Sequence, residues 1–144
     1  MRRGAAKSSL KNESFSVERV RSRIPLNHGP FIFTVASMAG VCPIVAYRPK
    51  PGRESELLEL VRSRVPILRR EGLATERRPI ILRAKDGTIV EVSEWTSAEA
   101  IEAAHRNLSV LELWHSFFEL CDCVPLNSLA ETAEMFACFE PLDE

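Results

Sequence analysis

The chain has 144 residues, 45% of them apolar and 27% charged, a balance that fits one globular domain and excludes a wholly disordered chain. The net charge of −1 hides an asymmetry: residues 1–40 carry seven Lys/Arg against two Asp/Glu, and residues 41–144 carry twelve against eighteen. The acidic body argues against nucleic acid as a partner, because phosphate contacts need a basic face.

Residues 1–40 read as a flexible basic N-terminal extension, Arg- and Ser-rich with few large apolar side chains before His28. The apolar stretch from Phe31 to Gly40 lacks the layout of a signal peptide. The uncharged run from Phe31 to Tyr47 contains Pro43 and two structural units, so no membrane span is expected. Among the four cysteines, Cys121 and Cys123 are separated by one residue rather than two, and no His stands beside them at ligand spacing. That pattern predicts reduced, mostly buried thiols in a cytoplasmic protein, with no metal site.

The body, residues 41–142, divides into alternating periodicities. Ile44 to Arg48 predicts a first strand behind Pro43, and Pro49-Lys50-Pro51-Gly52 breaks it. Glu54 to Glu71 predicts a helix: Leu57, Val61, Val65 and Leu68 recur at helical spacing, Pro66 should kink or divide it, and Gly72 ends it. Arg62, Arg64, Arg69, Arg70, Arg77 and Arg78 surround this helix and its exit, as a solvated helical face does. Pro79 to Arg83 and Thr88 to Trp95 predict two strands joined at Asp86-Gly87, with Val90 and Val92 on one face and Ile89, Glu91, Ser93 and Trp95 on the other. Glu91 and Glu94 are expected in ion pairs with Arg83 or other cations.

Thr96-Ser97-Ala98-Glu99 predicts a capping box, with Thr96 as N-cap and Glu99 three residues on. A helix carrying Ile101, Ala104 and His105 follows. A second segment after Asn107 presents Val110, Trp114, Phe117 and Cys121 on one face and stops at Pro125. Ala133 to Glu140 predicts the last strand. The order is β-α-β-β-α-β: an α+β, ferredoxin-like antiparallel sheet with helices on one face. The last strand would be apolar on both sides, with Met135, Ala137 and Phe139 opposite Phe136 and Cys138. A bare apolar sheet face predicts a homodimer, sheet against sheet.

The run Glu94-Trp95-Thr96-Ser97-Ala98-Glu99-Ala100-Ile101, then Ala104-His105 and Val110 to Phe118, resembles the second half of antibiotic-biosynthesis-monooxygenase domains. The similarity extends over most of residues 41–142, including the Pro-Gly opening of the first helix, and runs closest to uncharacterised members. It implies a dimeric α+β barrel and, in some members, cofactor-independent oxygenation of phenols or quinols. The haem-degrading branch has an Asn on the first strand; here that strand offers Cys42, Ile44 and Tyr47 instead.

His105 is the candidate catalytic base, since an imidazole titrates near neutrality and could take a proton from a phenol. A structural helix-end His is the simpler alternative. Trp95, Trp114 and Phe117 are candidate pocket walls for a flat substrate, or plain core. Tyr47 could hydrogen-bond a ligand oxygen, or pack its ring and wet its hydroxyl. Nucleotide-binding fingerprints are absent, so no cofactor is expected. The functional expectation is a cofactor-independent monooxygenase acting on an aromatic or quinol-like small molecule. The alternatives are a non-catalytic dimeric module that binds an apolar metabolite, and a structural dimer.

Overall fold

The computed structural model describes residues 40–142. Apart from Gly40, the predicted extension lies outside them. Five strands and three helices follow one another: β1 (Ile44–Pro49), α1 (Glu54–Arg70), β2 (Ile80–Arg83), β3 (Ile89–Val92), α2 (Ala98–Ala104), α3 (Leu108–Leu120), β4 (Cys121–Val124) and β5 (Glu140–Pro141). The strands form one antiparallel sheet in the order β4-β1-β3-β2-β5. The architecture is α+β, and its element order is compatible with a ferredoxin-like arrangement.

Helix α1 shows why this sequence folds locally as it does. Gly52 turns at φ 77° after β1. Glu54 and Glu56 occupy the first turn and Arg69 and Arg70 the last, each sign matching the helix dipole. The C-terminus closes in a Schellman motif: Gly72, at φ 71°, donates to the Arg69 carbonyl, and Leu73 donates to that of Leu68. Pro66 does not divide the helix as expected. It lies on the exposed side, where water can satisfy the carbonyl its ring leaves unpaired.

The β2–β3 turn follows the sequence. Gly87 takes φ 89°, and Asp86 Oδ1 accepts the Thr88 amide at 2.9 Å. The next helix starts one residue later than the capping pattern suggests. Ser97 is the N-cap, its Oγ accepting from the Ala100 amide, while the Thr96 hydroxyl donates to the Leu73 carbonyl.

The C-terminal expectation is corrected. Helix α3 stops at Leu120, and the chain turns directly into β4, which pairs with β1. Ala133 to Glu140 is not a strand; only Glu140 and Pro141 pair, at the β2 edge. Between them lie 3-10 turns at Leu126–Ser128 and Ala130–Ala133. Ser128 and Thr132 each donate to the carbonyl three residues back, at 2.7 Å. Such local bonds compete with a strand ladder.

Helices α1 and α3 cover the inner face of the sheet, burying Tyr47, Ile81, Ile89 and Cys121 against Leu57, Val61, Leu113 and Phe117. A second cluster holds Trp95, Val65, Leu68, Ala104 and Val110. On the outer face Leu129 packs with Ala46, Ala84 and Val90, and Leu126 and Phe139 adjoin them. The chain's own C-terminal segment therefore covers part of the face that was expected to be bare. Ile44, Val92 and Ile80 stand in register across β1, β3 and β2, and Ile44 and Ile80 remain half exposed.

Candidate functional site

The cavity lies on the inner face, at the β1–β4 side of the sheet beneath α1 and α3. Its volume is about 220 Å³, and Val45, Tyr47, Arg64, Trp114, Phe117, Phe118 and Cys123 line it. Strand register builds its floor: Tyr47 on β1 pairs with Cys123 on β4, so both side chains emerge on the same face. Phe117 stacks on Tyr47, with ring centroids 4.8 Å apart and planes at 24°. The lining is mostly apolar, which suits a small organic ligand.

One charged group interrupts it. Arg64 is only 5% exposed, and Glu91 is completely buried. Arg64 Nη1 donates to Glu91 Oε2 and to Ser93 Oγ, each at 3.1 Å, and Tyr47 Oη donates to the same Glu91 oxygen at 3.1 Å. The guanidinium also lies over the Trp95 ring, 5.5 Å from its centroid. Burial pushes the Glu91 carboxyl above its usual range, against the pull of Arg64 and the Tyr47 hydroxyl. Burial likewise pushes the Tyr47 phenol upward. Glu91 Oε1 and Trp95 Nε1 are buried without a partner among the described residues.

Two sequence expectations change here. The Tyr47 hydroxyl is buried and bonded rather than wet. Arg64 belongs to the core, not to a solvated arginine face. The signal was present: Arg64 follows Leu57 by seven residues and Val61 by three, and precedes Leu68 by four, so helical spacing places it inside the apolar stripe. The expected ion pairs form as Glu91 with Arg64 and Glu94 with Arg77, while Arg83 pairs with Glu140.

The cysteines also differ from expectation. Cys121 is buried, but Cys42, Cys123 and Cys138 are exposed, and all four are free. Cys123 is held at about 7, below the ordinary thiol range, chiefly by the neighbouring Cys121 thiol and secondarily by the Arg64 charge, while Cys121 Sγ donates to the Phe117 carbonyl at 3.2 Å. Cys121 is pushed upward, mainly by the Cys123 thiol.

Of the sequence-predicted residues, Tyr47, Trp114 and Phe117 meet at the cavity. Trp95 does not line it; it packs beneath Arg64 in the neighbouring cluster. His105 does not line it either. It is the exposed C-cap of α2, with Nδ1 2.9 Å from the Ile101 carbonyl. Its ring meets the Trp114 ring edge-on, with centroids 5.0 Å apart. Arg64, Glu91 and Cys123 are the groups the candidate list missed.

A second hollow of about 240 Å³ lies by Glu54, Ser55, Leu58, Arg83 and Leu142, with no comparable buried network at its wall. Among the described residues, no cluster of three His, Cys, Asp or Glu could hold a metal, and no helix is long and apolar enough to cross a membrane. Comparison with family models, curated proteins and solved structures finds no match.

Proposed function

We propose that this chain is a small-molecule domain whose inner cavity takes a flat, largely apolar ligand, and that its reaction is cofactor-independent oxygenation of an aromatic or quinol-like compound. The half-open cavity walled by Tyr47, Trp114 and Phe117 carries the binding part of this reading. Its 220 Å³ exceeds the roughly 150 Å³ that accommodates a benzene-sized ring. The oxygenation part rests on the sequence resemblance to antibiotic-biosynthesis monooxygenases. It needs a substrate anion that can reduce oxygen, in a place poor in water.

A non-catalytic binding module is the second reading, favoured by one observation. The expected base, His105, stands outside the cavity with its Nδ1 engaged by Ile101. In either reading the domain is a ferredoxin-like half of a dimeric α+β barrel. The β4-β1-β3-β2 core order supports the topology, and the half-exposed row of Ile44 and Ile80 on the outer face supports pairing with a second copy.

Oxygen consumption by the purified chain, assayed over a panel of phenols and hydroquinones, tests the reaction. Uptake that requires both protein and substrate supports oxygenation. Binding without uptake across the panel leaves the module reading, and absence of binding removes both.

A further inference from the structure

Arg64 is charged, 95% buried by its 5% exposure, and part of the cavity wall. Both of its hydrogen bonds use Nη1. Nε and Nη2 are not among the fully buried polar atoms left without a partner, so they reach the accessible space of the cavity. A guanidinium held in the core that reaches an otherwise apolar, aromatic-walled space is placed to exchange water for an anionic oxygen, since hydrogen bonds to charged donors are the strong ones.

We propose that the cavity is a receptor for a single-ring aromatic oxyanion, a carboxylate or a phenolate, in which Arg64 takes the charged oxygen and Tyr47, Trp114 and Phe117 enclose the ring. This rests on the small-molecule reading above and names its ligand class.

Three features support the assignment. Glu91 meets Arg64 through a single carboxylate oxygen and a single guanidinium nitrogen, so the ion pair leaves the rest of the fork to the cavity. The Arg64 charge also reaches the cavity side, where it helps hold the Cys123 thiol low. Arg64 is held in place by Ser93, Glu91 and the Trp95 face, so little side-chain freedom remains to be lost when a ligand binds. A neutral ring would fill the apolar walls equally well but would leave the free guanidinium donors unsatisfied. Discrimination therefore falls on the charged oxygen.

The test uses the full chain and three probes: 4-nitrophenol, benzoate and the neutral nitrobenzene. The expected result is that an anion binds about tenfold or more tightly than nitrobenzene, and that bound 4-nitrophenol ionises about one pH unit lower, read from its visible phenolate absorbance. Tighter benzoate would assign a carboxylate ligand, and tighter 4-nitrophenolate a phenolate. Saturating benzoate should slow alkylation of Cys123 by about tenfold and leave Cys42 and Cys138 unaffected, because only Cys123 shares the cavity. In Arg64→Met with Glu91→Gln, which removes both charges together, the preference for the anion should vanish while nitrobenzene affinity persists. Should that variant not fold, the wild-type comparison and the nitrophenol shift decide alone. Nitrobenzene binding as tightly as the anions, or benzoate binding that leaves Cys123 unprotected, overturns the proposal and spares the small-molecule reading. Failure of all three probes to bind overturns both.

Discussion

Tyr47 and Glu91 meet diagonally across β1 and β3: the phenol donates to Oε2 at 3.1 Å, although the strand register pairs Tyr47 with Ile89 and Glu91 with Val45. The same oxygen receives Arg64, so one buried carboxylate oxygen ties β1 to β3 and both strands to α1. Tyr47→Phe keeps the ring stacked on Phe117 and removes one hydrogen bond to a buried charged group. The expected loss is about 1.5–3 kcal/mol by denaturant unfolding. A loss below about 0.5 kcal/mol would show that this bond contributes nothing net.

Arg64→Met should cost about 3–5 kcal/mol, because it leaves the Glu91 carboxyl buried without its counter-charge; Glu91→Gln should cost less, because burial raises that carboxyl and Gln keeps its shape. The double variant should cost less than Arg64→Met alone, since no charge is then left stranded. Strict additivity would mean that the pair is not coupled. Stability should also vary with pH through Glu91. Its carboxyl is raised in the folded chain above the ordinary 4.5, so the folded state holds the proton more tightly. The contribution is therefore complete below that ordinary value and is lost as pH rises through the folded value. The difference between wild type and Glu91→Gln, followed upward from pH 4.5, should decline in that direction.

This network also marks how far the fold and the site could be read from sequence. Alternation on β3 correctly separates Val90 and Val92 from Ile89 and Glu91, and the Asp86-Gly87 turn and the α1 stripe are equally legible, because they depend on short-range periodicity. Arg64 is the instructive miss: residue type suggests surface, while helical spacing places it in the core, and here spacing prevails because Glu91 lies opposite. The last core strand escapes notice because Cys121-Asp122-Cys123-Val124 continues the apolar spacing of α3 without a break, and only its pairing with β1 makes it a strand. The apolar run at Met135 and Phe136 looks like core, yet those residues are 92% and 80% exposed. Nothing local distinguishes a buried apolar run from an exposed one.

Cys123 should be the reactive thiol of the cavity. In a Cys42→Ser, Cys138→Ser background, iodoacetamide alkylation should rise with pH through a midpoint of about 7, since the thiolate is the nucleophile. Cys121→Ala removes the largest stabilising contact and should carry the midpoint upward toward the ordinary value of about 8.5. An unshifted midpoint in the Cys121→Ala variant would assign the low value to another cause.

His105→Ala tests the separation of the imidazole from the cavity. Its bond to the Ile101 carbonyl and its contact with Trp114 predict a structural loss of about 1 kcal/mol. Ligand affinity should change by less than about threefold, because the ring contributes nothing to the wall. A folded variant whose oxygen uptake falls about a hundredfold would instead make His105 the base, the usual contribution of a positioned proton acceptor.

The outer face bears on assembly. Leu129, Leu126 and Phe139 already cover Ala46 and Val90, so Phe139→Asp should destabilise the single chain rather than probe an interface. The open part is the row of Ile44, Val92 and Ile80, where three strands present branched side chains in register. Light scattering of the full chain at micromolar concentration should give about twice its 16.2 kDa. Ile44→Asp with Ile80→Asp places two carboxylates in that row, and a two-fold interface built on it brings them against the same row of the second copy. Like charges brought together out of water repel, so the pair should return the chain to a monomer while its thermal midpoint falls by no more than about 5 °C. A wild-type chain that scatters as a monomer would end the proposal of sheet-to-sheet pairing. A double variant that remains dimeric would move the interface away from this row, to a surface such as the one Phe136 and Met135 expose.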